Sequence, residues 1–63
     1  MITRRHLSGG EVIGILEGMG LDPDSPDDET FDRHGSVKSW GHDGKTVFVF
    51  YSNDDDEYSI TDA

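Results

Sequence analysis

The chain has no cysteine. Disulfides and thiolate zinc sites are therefore excluded as staples for a small fold, and the composition fits a reducing compartment. Prolines number only two, and both fall between Asp22 and Asp32. No apolar run approaches the roughly 18 residues of a membrane span, and Met-Ile-Thr-Arg-Arg-His lacks the apolar stretch of a signal peptide. The expectation is a cytoplasmic protein with no membrane association. Basic residues are scarce as well: five Lys and Arg stand against fourteen Asp and Glu, a net charge of -9. Proteins that grip nucleic acid release counterions with Lys and Arg, whereas an acidic surface repels the polyanion and attracts basic proteins. Direct binding of DNA or RNA is therefore not expected.

Against these absences, Thr46–Ser52 (Thr-Val-Phe-Val-Phe-Tyr-Ser) is the most apolar, β-branched and aromatic stretch of the 63 residues. In a strand, Val47, Val49 and Tyr51 face one way and Phe48 and Phe50 the other, so neither face is polar. Ser8 and Glu11 form a capping box, with Leu7 and Val12 placed as a hydrophobic staple. The apolar stripe Val12, Ile13, Ile15, Leu16, Met19 predicts a helix over about 9–19. Gly20 and Leu21 suit the residues that close it in a Schellman motif. Gly14 and Gly18 leave a smooth strip, read as solvent-facing.

Residues 22–32 hold six acids and two prolines in eleven positions. They read as an exposed acidic loop with Phe31 as its one anchor to the core. Ser36 to Trp40 opens a hairpin whose Asp43-Gly44 turn has the type I′ signature. A two-residue loop pairs His42 with Lys45, Trp40 with Val47, Lys38 with Val49 and Val37 with Phe50. If the next turn, Asn53 to Asp56, holds an even number of residues, Tyr58 and Ile60 join the Trp40, Val47, Val49 and Tyr51 face; an odd number moves them to the other. Met1 to His6 reads equally as a short strand or a frayed arm. The expected architecture is α+β, αβββ: one domain over 1–63, with one N-terminal helix on a three-stranded antiparallel meander of strands at about 36–41, 46–52 and 57–61. One helix covers one face, so an apolar face stays open unless the arm or Phe31 folds over it.

No residue pattern announces chemistry. Aligned on an EF-hand loop from Asp22, the segment has Pro26 and Asp27 where a ligand and the turn glycine belong, and Arg33 where the closing glutamate belongs. His6, His34 and His42 show no metal-ligand spacing. There is no nucleophile elbow and no phosphate loop. No metal, cofactor or catalytic residue is expected, and the protein is not read as an enzyme. A helix before a meander, with Arg33-His34-Gly35-Ser36 ahead of the first strand and His42-Asp43-Gly44-Lys45 in the hairpin, resembles HicA-type toxins over about residues 4–51. That resemblance implies a double-stranded-RNA-binding-like fold and RNA cleavage. The family's catalytic histidine falls in the first strand, however, where this chain has Val37 and Lys38. The family is also basic and closes with a second helix, for which this sequence has no candidate, so no site residue carries over.

What remains is an acidic interaction module. Asp22, Asp24, Asp27, Asp28, Glu29 and Asp32 form one carboxylate cluster and Asp54, Asp55, Asp56 and Glu57 another; with Trp40 these are the expected partner-contacting residues. The expected partner is a basic, nucleic-acid-processing protein whose phosphate-binding surface the carboxylates mimic, as a phage or mobile-element inhibitor would. The alternative is a structural or self-associating domain, a homodimer through a sheet face, in which acidity serves solubility or salt adaptation.

Overall fold

The computed structural model describes residues 2–62, so Met1 and Ala63, the ends of the expected 1–63 domain, lie outside the described residues. In chain order the elements are β1 (Ile2–Leu7), α1 (Gly9–Gly18), β2 (Asp28–Asp32), β3 (Gly35–His42), β4 (Lys45–Ser52) and β5 (Glu57–Asp62). The strands make one antiparallel sheet in the order β1-β5-β4-β3-β2. This overturns the helix on a three-stranded meander: the fold is mostly β, with five strands and one short helix among the described residues. The helix is still followed by an antiparallel meander, but of four strands, and β1 precedes it, so the order behind the resemblance noted above is matched only in part.

The local signals explain α1. Glu11 N–H donates to Ser8 Oγ at 3.2 Å while Ser8 N–H donates to Glu11 Oε1 at 3.1 Å, completing the capping box. At the other end Gly20 N–H reaches Glu17 C=O and Leu21 N–H reaches Leu16 C=O, each at 3.0 Å. Those two bonds are the Schellman pair, and they stop the helix.

Register decides what the helix covers. Asp43 (φ 50°) and Gly44 (φ 74°) make the two-residue turn, His42 pairs with Lys45, and Trp40 comes opposite Val47. Four residues separate β4 from β5, so Ser52 pairs with Glu57, Tyr51 with Tyr58 and Val49 with Ile60. Trp40, Val47, Val49 and Ile60 therefore share a face, and Val12 and Leu16 of α1 complete the buried core with them. Leu7, Ile15, Met19, Leu21 and Tyr58 pack around its rim.

Two features bend the ladder. Arg5 and His6 together oppose Ser59, a bulge in β1 with His6 at φ 60°. At the opposite side Gly35 (φ 155°) lies so close to β4 that a Cβ there would sit 1.7 Å from the Tyr51 carbonyl oxygen. Only glycine permits that approach.

Leu16 is 1% exposed, so Leu16→Ala should cost about 3 kcal/mol and leave so small a core largely unfolded at 37 °C. A Cβ on Gly14 would meet nothing within 4 Å. Gly14→Ala should therefore stabilise by about 0.5–1 kcal/mol through helix propensity alone. Urea melts of both variants check the pair; a neutral Leu16→Ala would mean that the helix is not what closes the core.

Candidate interaction surface

The two acidic clusters of the sequence are redistributed by the fold. Asp22–Asp32 is not one loop, because its last five residues are the edge strand β2. The turn after β2 lies beside the turn after β4: Asn53 N–H donates to His34 C=O at 2.8 Å, and Asn53 Nδ2 donates to Arg33 C=O at 3.2 Å. Asp32 consequently joins Asp54, Asp55, Asp56 and Glu57 at one end of the sheet. Asp22, Asp24 and Asp27 remain toward the other end, that of the Asp43-Gly44 turn, while Asp28 and Glu29 lie along the middle of the sheet edge, opposite Ser39 and Lys38. All of these carboxylates are exposed except that of Glu57, which is half-buried.

Most of them already accept a hydrogen bond. Asp32 Oδ1 takes the N–H groups of His34 (2.7 Å) and Gly35 (3.1 Å), which holds the β2–β3 turn. Asp27 Oδ2 takes Gly41 N–H at 2.6 Å, and Asp22 Oδ1 takes Asp24 N–H at 2.9 Å. Glu29 pairs with Lys38 at 3.4 Å directly across the β2–β3 ladder. In the β4–β5 turn, Asp56 Oδ1 accepts the Tyr51 hydroxyl at 2.7 Å and Asp55 contacts Ser52 Oγ at 3.4 Å. Glu57 lies 2.7 Å from His6 Nδ1, and Asp54 lies 3.7 Å from His34 Nδ1. His42 faces Asp43 at 3.6 Å. The three histidines are thus spread over separate carboxylate partners, and no grouping of three or more potential metal ligands occurs among the described residues.

Two expected residues sit elsewhere than the sequence suggested. Trp40 is 3% exposed and belongs to the core; its Nε1–H donates to the Asp22 carbonyl at 2.8 Å. It therefore pins the acidic segment to the sheet and is unavailable to a partner. Phe31 does not anchor that segment, being 67% exposed on the edge strand where the ten-residue helix does not reach.

The face away from α1 carries an apolar spine. Phe48 and Phe50 stack with ring centroids 6.2 Å apart, and Phe50 is 41% exposed. Thr30, Val37, Phe50 and Ser59 form one row across four strands, reached by Arg5 from the bulge in β1. Together they line a shallow depression of about 430 Å³. No helix in the described residues is long and apolar enough to cross a membrane. Compared with protein-family models, with curated proteins and with solved structures, the chain gives no match in any of the three.

One side chain titrates away from its ordinary range. The Asp56 carboxylate that accepts the Tyr51 hydroxyl, aided by partial loss of water around the phenol, raises the pKa of Tyr51. An unfolded phenol ionises near pH 10, so the folded state holds this proton more tightly. The contribution is complete below about pH 10 and disappears as the pH rises through the higher folded value. Wild-type stability should fall faster above about pH 10 than that of Tyr51→Phe. Parallel curves in denaturant melts from pH 9 to 11 would show that the Tyr51–Asp56 bond is not held in solution.

Proposed function

We propose that the protein is a non-enzymatic interaction module that offers its carboxylates to a basic surface of a nucleic-acid-processing protein. The observation that carries this reading is the placement of the acids: one group toward each end of one hydrogen-bonded sheet, with Asp28 and Glu29 along the β2 edge between them, and no charged side chain buried among the described residues. A rigid scaffold keeps such charges at fixed separations, which a flexible acidic tail does not, and fixed anions can imitate phosphates. The partner's phosphate-binding Lys and Arg would supply the counter-charge, and the module would compete with nucleic acid for them. An inhibitor from a phage or mobile element is the biological setting this chemistry suits.

Immobilised protein exposed to a cell extract should retain basic nucleic-acid-binding proteins at about 50 mM salt and release them by about 500 mM, where the Debye length falls to a few ångströms. The double change Asp54→Asn and Asp55→Asn should weaken that retention while raising the melting temperature, because it relieves like-charge repulsion. Were the acids present for solubility alone, the variant would gain stability and lose no binding.

The uncovered Phe48–Phe50 spine supports a second reading, self-association through that face. Sedimentation at increasing concentration should then show a dimer that Phe50→Glu abolishes. A monomer at the highest concentration reached removes this reading and leaves the first intact.

A further inference from the structure

The strand order leaves β1 and β2 as the two sheet edges, and they differ in kind. The β1 edge is interrupted by the bulge at Arg5 and His6. Such a kink is a common way of spoiling an edge for pairing. The β2 edge is regular: five consecutive residues pair with β3 without a shift, and all five are exposed.

The hairpin register states which backbone groups of β2 are spare. His42 and Lys45 flank a two-residue turn and so form a hydrogen-bonded pair; by alternation Trp40, Lys38 and Ser36 also bond to β4. Gly35, Val37, Ser39 and Gly41 then point their N–H and C=O groups toward β2. Their partners Asp32, Thr30 and Asp28 are satisfied, and the backbone groups of Glu29 and Phe31 face outward. Two observations agree with this. Gly41 N–H, one residue pair beyond the end of β2, is met by the Asp27 carboxylate. Glu29 N–H, finding no strand, is met by the side chain of its own neighbour, Asp28, at 2.9 Å. The outward edge therefore combines the main-chain groups of Phe31 and the Glu29 C=O, a Glu29 N–H held only by a side chain, a phenylalanine 67% exposed and the carboxylates of Asp28, Glu29 and Asp32.

We infer that this edge is a docking site for an extended, Lys- or Arg-bearing segment of a partner protein, which pairs with Glu29 and Phe31 as an added strand. The inference rests on the acidic-module reading and specifies how such a partner is held. Main-chain bonds give the pairing its direction, Phe31 supplies apolar contact, and the carboxylates select positive charge at the flanking positions. A second copy is the wrong occupant for this edge. Two β2 edges would bring Asp28, Glu29 and Asp32 against one another, and the other edge strand, the basic β1, is bulged at Arg5 and His6.

The test titrates the isotope-labelled full chain with a blocked seven-residue peptide of alternating Lys and Thr at low salt, followed by amide shifts and hydrogen exchange. The expected result is shifts centred on Glu29 and Phe31, with the Phe31 amide gaining protection. Phe31→Ser should weaken binding about fivefold while leaving the melting temperature unchanged. The same peptide carrying an N-methyl group on every main-chain nitrogen cannot donate to a ladder and should bind about tenfold less well. Equal binding of the two peptides, or shifts spread evenly over both acidic ends, would overturn strand addition and leave the acidic-module reading standing. Shifts confined to Val37, Phe48 and Phe50 would move the contact to the open face with the same consequence. No binding of either peptide at low salt would remove both.

Discussion

The pairing of β3 with β4 is the constraint from which the rest of the molecule follows. A turn of two residues, both at positive φ, admits one register. That register puts Trp40 beside Val47 on the helix side and Val37 beside Phe50 on the other. It also fixes the hydrogen-bonding direction of each residue of β3, and through β3 that of β2. The buried core, the open aromatic face and the spare groups of the outer edge are three consequences of one short turn. A one-residue slip would exchange the two faces and remove Trp40 from its bond to Asp22.

The central hairpin, the helix and both of its caps could be read from the residues because each is specified locally: a capping box, a Schellman pair, a type I′ dipeptide, an uninterrupted apolar strand. Of the two edge strands, β1 could be read only as one of two alternatives and β2 not at all. β2 reads Asp-Glu-Thr-Phe-Asp, and Asp and Glu are depleted in strands because most strand positions pack against something. An edge strand exposed on both sides escapes that selection and shows no alternation of burial. What could have betrayed it is the tetrad Asp32-Arg33-His34-Gly35, an acid first and a glycine fourth, which is turn chemistry joining two strands. In β1 the bulge conceals the pattern, since the inserted residue shifts the alternation between Arg4 and Leu7. The acidic sites were legible as composition and illegible as geometry: β2 carries Asp32 to the end of the sheet opposite Asp22, where the turn after β2 meets the turn after β4. Trp40 was misjudged because an aromatic in a two-sided sheet is a surface anchor or a core residue according to where one helix lies.

The local hydrogen bonds of the carboxylates separate two roles that composition merges. Asp27, Asp32 and Asp56 accept from groups of their own fold, so part of the acidity closes turns that Ser or Asn could also close. A carboxylate accepting one or two such bonds still carries its whole charge and has lone pairs to spare. Structural use and an outward anionic field are therefore compatible in the same residue. The excess over what turns require is what needs another explanation, and the pairing of Lys38 with Glu29 offsets only a fraction of it.

Charge on a sheet edge is commonly a device against aggregation, and here it has a second consequence. Repulsion between like edges grows with each carboxylate placed there, but the same carboxylates lower the energy of any strand that brings cations to the matching positions. An edge defended by charge is closed to copies of itself and open to the opposite sign, whereas an edge defended by a bulge is closed to both. The molecule uses one device on each side, a kink at Arg5 and His6 and acids along Asp28–Asp32. Discouraging self-pairing alone would be served equally well by either device on both edges. The asymmetry is what a domain needs if one edge must stay available, and it makes the sign of charge that the edge admits a property of the strand itself as well as of the net charge of the chain.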